Sequence, residues 1–236
     1  VAESMDNRDL SFGAGALRLK SRIAFGRKKK DFVSMLKKAI DELNPIEHNT
    51  DKNVIHYWIV SSSNGGTGSG SVLDVLYLVN MLHRTYIDKG NPKVGLMLYM
   101  PRAFMNVNRD NERYPRNAYA VFKELEAFQK WNKDVSKNKL FHRMAVTDEY
   151  ELFDEDMGFR PFEFCIPIDF HTENNNNMGD INKMYTNTAE LMFYIHSGQG
   201  ASGFKSFLDN NEDGDQINSP EFFLIPMGYM ALRKPN

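Results

Sequence analysis

One short run of glycine and hydroxyl residues has a composition that suits a chemical role. The run reads NGGTGSG, spans Asn64–Gly70, and has longer apolar segments on both sides. Glycine lets a backbone turn tightly and approach a ligand without a Cβ in the way. Backbone amides at the start of a helix carry partial positive charge and bind phosphate groups. The run therefore predicts a phosphate-binding loop.

The run fits neither of the two commonest phosphate-binding loops. A P-loop needs Lys after its last glycine, where this chain has Ser71. A dinucleotide-binding loop needs Gly-x-Gly-x-x-Gly, whereas the spacing that begins at Gly66 is Gly-x-Gly-x-Gly. A glycine-rich connection that binds no ligand is the structural alternative.

Apolar patterning places this run between a strand and a helix. Val54–Val60 is rich in β-branched and aromatic residues, which indicates a buried strand. Ser71–Tyr86 is apolar almost all round, as a helix between two layers is, and Val94–Met100 is the next strand. A strand, a helix and a strand in succession form a βαβ unit, so we expect a parallel sheet with a right-handed crossover. The run then lies at the carboxyl edge of the sheet, where such folds bind ligands.

Further regular patterns extend this reading along the chain. They predict helices at Asp31–Leu43, Asn117–Trp131 and Ile181–Ile195, and a buried strand at Glu163–Asp169. The fold class that follows is α/β, with a doubly wound and mostly parallel sheet. The apolar segment Phe222–Leu232 predicts the start of a second unit.

Charge and cysteine content exclude several classes of function. The 236 residues include 29 Lys and Arg against 31 Asp and Glu, a net charge of −2, which gives no support to nucleic-acid binding. Cys165 is the single cysteine, so neither an intrachain disulfide nor a cysteine-rich zinc site is possible. Even the segment Phe222–Leu232 is shorter than the ~20 residues of a membrane-spanning helix. We therefore expect a soluble, cytoplasmic protein without membrane insertion.

The glycine run in its setting resembles the tubulin superfamily, including its bacterial cell-division branch and the bacterial tubulin-like proteins. Members have a GGGTGSG-type loop between a strand and a helix, and this loop binds the phosphates of GTP. The chain matches from Gly65 to Gly70 and has Asn64 where the first glycine is usual. The resemblance implies the Rossmann-like GTPase domain of that superfamily.

Other segments are similar to further parts of the same family. Phe12–Ala16 resembles the loop that closes over the terminal phosphate. Glu112 and Arg116 resemble the pair that contacts the ribose and phosphate side of GTP. Arg113 and Asn117 are the alternatives if the alignment with the family is shifted along the chain. Tyr185 resembles the aromatic residue that stacks on guanine, with Asn182 or Asn187 bonding the edge of the base. The nucleotide-binding residues that the resemblance implies are Gly13, Ala14, Gly15, Gly65, Gly66, Thr67, Gly68, Ser69, Gly70, Glu112, Arg116 and Tyr185.

An acidic stretch follows the helix that resembles the family's long central helix, at about residues 180–197. In the family the equivalent loop sends an acid to the nucleotide of the neighbouring subunit, so the resemblance makes Asp209, Asp213 and Asp215 catalytic, with Glu212 as a further carboxylate. We expect residues 1–200 to form the nucleotide-binding domain and residues 201–236 this loop and the beginning of a second domain. The family's first strand and first glycine-rich loop are not found, so we expect them to precede Val1 or to have been lost.

The resemblance implies a protein that binds GTP with Mg²⁺, hydrolyses it, and assembles head to tail with copies of itself into filaments or with other subunits into a larger assembly. The alternative from another class is a non-catalytic structural module that keeps the fold without nucleotide turnover. A different enzyme with a phosphate-containing ligand on a similar sheet is the third reading.

Overall fold

A parallel sheet of three short strands organises the described part of the chain. The computed structural model describes residues 14–43, 55–87, 92–104, 112–130, 162–169, 181–197, 200–204 and 206. The strands are β1 (His56–Ser62), β2 (Lys93–Tyr99) and β3 (Phe164–Ile168), in that order across the sheet. Ser62 lies opposite Tyr99, and Tyr99 lies opposite Ile168, so the carboxyl ends of all three strands form one edge. The predicted α/β class with a parallel sheet is confirmed.

Helices precede, connect and follow the strands. They are α1 (Arg18–Leu43), α2 (Gly66–Ile87), α3 (Arg113–Lys130) and α4 (Ile181–His196), with a 3-10 helix at Pro101–Phe104. Helix α4 agrees with the predicted central helix to within a residue or so at each end. None of the helices in the described ranges is long and apolar enough to cross a membrane. The doubly wound arrangement stays a prediction, as does the second domain, because residues 207–236 lie outside the described residues.

The first helix begins well before the predicted Asp31. Its early turns bury Ser21 and Lys29, which are only 5% and 9% exposed. A helix is recognised in a sequence by its apolar periodicity, and buried serine and lysine side chains add nothing to that signal. The predicted start was therefore wrong because this half of α1 buries polar side chains, while its apolar Phe25 is only partly buried against the core.

Helix α2 supplies much of the apolar core. Leu76 and Leu82 have no exposed surface, and they belong to one cluster with Ile40 of α1, Leu96 of β2 and Leu125 of α3. Every residue of β2 after Lys93 is buried. The burial of α2 between neighbours explains why its sequence is apolar almost all round. The start of α2 is thus held firmly at the carboxyl edge of the sheet.

A carboxylate lies inside the contact between α1 and α2. The side chain of Asp74 is 9% exposed, and its Oδ1 is 3.5 Å from a terminal nitrogen of Arg22. Burial raises the pKa of Asp74 to about 6, although the positive charges of Arg22 and Lys29 act in the opposite direction. Burial also lowers the pKa of Lys29, which the negative charge of Asp74 partly offsets. Removal of a carboxylate from water therefore outweighs its attraction to two cations here.

We predict that the contribution of Asp74 to protein stability falls as the pH rises from 4 to 7. The pKa of Asp74 in the folded state lies above its ordinary value of 3.8, so its contribution is complete below pH 4 and is lost as the pH passes about 6. The shift corresponds to roughly 3 kcal/mol in the free energy of unfolding. Asp74→Asn should flatten this part of the pH profile, as measured by urea denaturation.

The matched control for this measurement is Asp31→Asn, which changes an exposed carboxylate on α1 that pairs only with its helix neighbour Lys28. It should leave the profile between pH 4 and 7 unaltered. Equal pH profiles of stability for the parent and Asp74→Asn would contradict the raised pKa of Asp74.

Candidate phosphate-binding site

Helix α2 begins inside the glycine run rather than after it. The sequence predicts a loop through Gly70 and a helix from Ser71, because glycine is a poor helix former. In the structure Gly66–Gly70 already forms the first turn of α2. The first amides of a helix have no carbonyl partner within the helix, so they are available to another acceptor. The run therefore supplies a helix N-terminus, as the phosphate hypothesis requires.

Three glycines of the run are enclosed by neighbouring backbone. A Cβ on Gly66 would lie 2.7 Å from the amide nitrogen of Leu17, and one on Gly68 would lie 2.8 Å from the backbone of Ser62. A Cβ on Gly70 would lie 2.5 Å from the carbonyl oxygen of Arg18. No side chain fits at such distances without a shift of backbone. These glycines let the first turn of α2 approach both α1 and β1, and they would be needed even without a ligand.

Gly65 has a different environment. A Cβ there would meet only the Ser62 hydroxyl, at an ordinary 3.6 Å. The next hydroxyl residue, Thr67, is exposed. Packing within the described residues thus does not require a glycine at position 65, although this position is the N-cap of α2, where glycine is favoured over alanine. A glycine there would also permit the close approach of a ligand.

The turn before α1 closes onto the start of α2. Gly15 and Ala16 both have φ of 58°, in the left-handed region, and the Leu17 amide donates to the Ala14 carbonyl at 3.0 Å. A left-handed conformation costs a residue with a Cβ, such as Ala16, about 1–2 kcal/mol. Ala14 and Ala16 are buried and Gly15 is exposed. The structure therefore brings this turn, of which Gly13 lies outside the described residues, against the glycine run.

One amide side chain joins these two segments. The Nδ2 of Asn117 in α3 donates to the Ala16 carbonyl at 3.0 Å and to the Asn64 carbonyl at 2.8 Å. From the sequence, Asn117 is only an alternative to Arg116, for the case in which the alignment with the family motif is shifted along the chain. Its position one turn after Arg113 on an amphipathic helix is the one feature of the sequence that points to it.

A partly buried ion pair fixes the helix that follows the turn. The Arg18 guanidinium forms a bidentate contact with the Glu124 carboxylate, and one of its hydrogen bonds measures 2.9 Å. Its Nε donates to the Ser69 carbonyl at 3.0 Å. Sequence analysis missed both residues, because a contact across 106 positions leaves no local pattern. The pair ties α1, α2 and α3 together at the site.

The side chain of Asn64 lies inside the protein. Asn64 is 1% exposed, and its Oδ1 accepts a hydrogen bond from the Ser62 hydroxyl at 2.5 Å. The Ser62 oxygen in turn accepts the amides of Asn64 and Gly65, at 3.3 and 3.2 Å. A residue other than glycine is therefore accommodated at position 64 with its side chain directed inward.

Tyr185 lies at the same edge of the sheet. Its ring is half exposed and stands edge-on to the ring of Tyr99, the last residue of β2, with centroids 5.4 Å apart. The Tyr99 hydroxyl donates to Thr188 at 2.8 Å, and its carbonyl accepts the amide and the hydroxyl of Ser63 at 3.0 Å each. Contacts thus run continuously from the glycine run to the aromatic residue.

The described candidates Glu112 and Arg116 are not brought into this contact network. Glu112 and Arg116 are exposed at the start of α3 and pair with each other at 3.5 Å. The acids Asp209, Glu212, Asp213 and Asp215 lie outside the described residues. No group of three or more His, Cys, Asp or Glu side chains within the described ranges is placed to hold a metal ion.

We predict opposite effects of alanine at two helical glycines. Gly70→Ala would force apart α1 and α2, so we expect a loss of about 1–3 kcal/mol in the free energy of unfolding. Gly26 of α1 has no neighbour within 4 Å of a Cβ, so Gly26→Ala should gain about 0.5–1 kcal/mol. Urea denaturation measures both values, and a Gly70→Ala protein as stable as the parent would contradict the packing described above.

Comparison with known proteins identifies the family. A family model described as tubulin-like matches residues 3–233 of the 236. No curated protein and no solved structure gives a match. The matched range includes the glycine run, the Ala14–Leu17 turn, and the helices and strands that hold them. Because the match covers almost the whole sequence, the chain belongs to the tubulin-like family.

Proposed function

We propose that this protein binds GTP, hydrolyses it, and assembles head to tail with copies of itself. The observation that carries the proposal is the meeting of the Ala14–Leu17 turn with the start of α2, beside a glycine at position 65 that packing does not require. Membership in the tubulin-like family supports a nucleotide as the ligand of such a site.

Backbone amides are the groups that would hold the phosphates. The candidate N–H donors belong to the first turn of α2 and to the adjoining turn at Gly15 and Ala16, and Thr67 adds an exposed hydroxyl. Arg18 is already balanced by Glu124, so its charge serves to position the helices. Donors fixed in this way stabilise the charge on a transferring phosphoryl group without first having to reorganise.

Mg²⁺ fits this arrangement as a partner of the nucleotide. No acidic cluster of the described residues competes for it, and an ion shared with phosphate oxygens needs few protein ligands. When bound, it would neutralise part of the phosphate charge. The Thr67 hydroxyl is the exposed oxygen of the run that could reach it.

Tyr185 is proposed to stack on the guanine base. One edge of its ring contacts Tyr99, while close to half of its surface is exposed at the sheet edge that carries the glycine run. A base stacked on an exposed aromatic ring gains about 1–3 kcal/mol. Asn182 and Asn187 on the same helix are candidates for hydrogen bonds to the base.

Hydrolysis requires a water molecule positioned in line with the terminal phosphate. We propose that an acid of the stretch Asp209–Asp215, supplied by the next subunit, orients that water. Asp209, Asp213 and Asp215 are the candidates, and Glu112 with Arg116 remain candidates for the ribose side. Turnover would then depend on assembly, since the phosphate-binding loops of a site and the acid that completes it would come from two neighbouring subunits.

A non-catalytic structural module is the second candidate function. The packing of Gly66, Gly68 and Gly70 favours it, because these three glycines are explained without any ligand. In such a module the glycine run would persist as a helix-packing device. Position 65 bears on the choice between the two candidates, since the close approach of a nucleotide would account for its glycine and side-chain packing does not require it.

We predict that Gly65→Ala weakens GTP binding and lowers the free energy of unfolding by no more than about 1 kcal/mol, the cost of replacing glycine at the N-cap of α2. The new Cβ makes an ordinary contact at 3.6 Å inside the protein but occupies space that a phosphate needs. The loss of one or two charge-assisted hydrogen bonds should lower the affinity for GTP and Mg²⁺ tenfold or more, as measured by calorimetry on the full chain.

Gly26→Ala is the matched control, because it adds the same methyl group far from the site. Binding by Gly65→Ala that equals the parent's would contradict the phosphate assignment. A parent chain that binds no GTP would favour the structural module.

We predict that Asp213→Ala with Asp215→Ala lowers turnover but leaves GTP affinity intact. Loss of a group that orients water should reduce the rate by about 10²-fold or more. Filaments of the double variant should persist longer, because the nucleotide between subunits survives. GTP turnover is measured against protein concentration for the parent, the double variant and an Asp31→Ala control. A parent rate per subunit that does not change with concentration would rule out a residue supplied by a neighbour.

A further inference from the structure

We propose that Asn117 is the positioning residue that sets the distance between the two halves of the phosphate site. The two halves are the Ala14–Leu17 turn and the start of α2. This inference rests on the proposed function, because the distance matters only if one ligand contacts both halves. The side chain of Asn117 itself need not touch that ligand.

The hydrogen bonds of Asn117 have the geometry of a bridge. A primary amide has two N–H donors on one nitrogen, and Nδ2 of Asn117 contacts two carbonyls, those of Ala16 and Asn64. These carbonyls lie 101 and 53 positions away along the chain and belong to separate segments. A single planar group thus fixes both segments at about 3 Å from one atom.

Asn117 lies on a helix, α3, that is packed into the core. The residue after Asn117, Ala118, is 5% exposed, and Val121 and Leu125 of the same helix have no exposed surface. A helix anchored by buried apolar residues cannot shift to follow a moving loop without disturbing the core. Asn117 therefore holds the loops to the core rather than only to each other.

The turn that Asn117 holds is strained. Ala16 adopts a φ of 58°, which is unfavourable for a residue with a Cβ. Such a conformation persists only where surrounding contacts hold it. Two hydrogen bonds do so here, from Leu17 to the Ala14 carbonyl and from Asn117 to the Ala16 carbonyl. Without the second bond, we expect Ala16 to relax and the turn to move away from α2.

The Arg18–Glu124 ion pair has a different role. It anchors the first residue of α1 to α2 and α3 through Ser69 and Glu124, immediately after the turn. The base of the turn is therefore fixed whether or not Asn117 is present. Loss of Asn117 should open only the turn and leave the helices in place.

The test pairs a variant that removes the bridge with one that relieves the strain. Asn117→Asp keeps the shape of the side chain but has no N–H donor, and it adds charge beside two carbonyls. Ala16→Gly makes the left-handed conformation accessible without a steric cost. We expect mant-GTP to dissociate about tenfold faster from Asn117→Asp than from the parent, and the double variant to return to within about threefold of the parent. Stopped-flow fluorescence on the full chain measures the rates.

Hydrogen exchange tests the same inference without any nucleotide. The Leu17 amide should exchange faster in Asn117→Asp than in the parent, and the double variant should restore its protection. Tyr57→Phe is the control, since it removes a buried hydrogen bond to His83 in another part of the fold. It should lower stability without changing either readout, which separates positioning from a general loss of stability.

Each outcome supports or overturns the proposed role of Asn117. If Asn117→Asp does not fold, Asn117→Ala removes the donors without adding charge and takes its place in both assays. Unchanged dissociation and unchanged Leu17 exchange would overturn the inference, as would a double variant that behaves like the single one. If the parent binds no mant-GTP, the proposed function fails, and faster Leu17 exchange in Asn117→Asp with recovery in the double variant would still support the role of Asn117.

Discussion

Backbone approaches backbone at the start of α2 more closely than any side chain would allow. The glycines at positions 66, 68 and 70 face the turn before α1, the end of β1 and the first residue of α1, in that order. Since α2 turns about 100° per residue, positions 66 and 70 lie on one face, toward the turn and α1, and position 68 lies on the opposite face, toward β1. The rest of the site depends on this contact. The turn can reach α2, α1 can cross it, and Asn117 can span both segments only because no Cβ intervenes.

Charge at the junction of the three helices is balanced within the protein. Arg18 pairs with Glu124 and Arg22 with Asp74, so these two cations of α1 serve contacts between helices. The positive potential at the start of α2 comes instead from oriented amides, which do not titrate. The charges of Arg22 and Lys29 do not fully offset the burial of Asp74, so the pKa of this carboxylate rises. The same junction that orders the site therefore makes stability sensitive to pH.

The sequence was sufficient for the strands and for the parts of the site that are local. Val54–Val60 and Val94–Met100 were recognisable because burial on both faces selects β-branched and apolar residues, and α4 because its apolar residues recur at helical spacing. The glycine run could be named from its composition and its place between a strand and a helix, and the turn before α1 from its resemblance to a loop of the tubulin superfamily. Four features could not be predicted: the length of α1, the start of α2 at Gly66, the Arg18–Glu124 pair and the bridge made by Asn117. Each depends on contacts between residues far apart in the chain, and such contacts also override the low helix propensity of glycine.

The two kinds of glycine at the start of α2 are exposed to different selection over evolutionary time. In a lineage that abandons nucleotide binding, substitutions at positions 66, 68 and 70 still disrupt helix packing, so purifying selection continues to remove them. Position 65 has no such packing constraint, because a Cβ there meets only the Ser62 hydroxyl at an ordinary distance. If the approach of a nucleotide is what selects glycine at position 65, that selection would end with the loss of the ligand, and only the modest preference for glycine at the N-cap of α2 would remain.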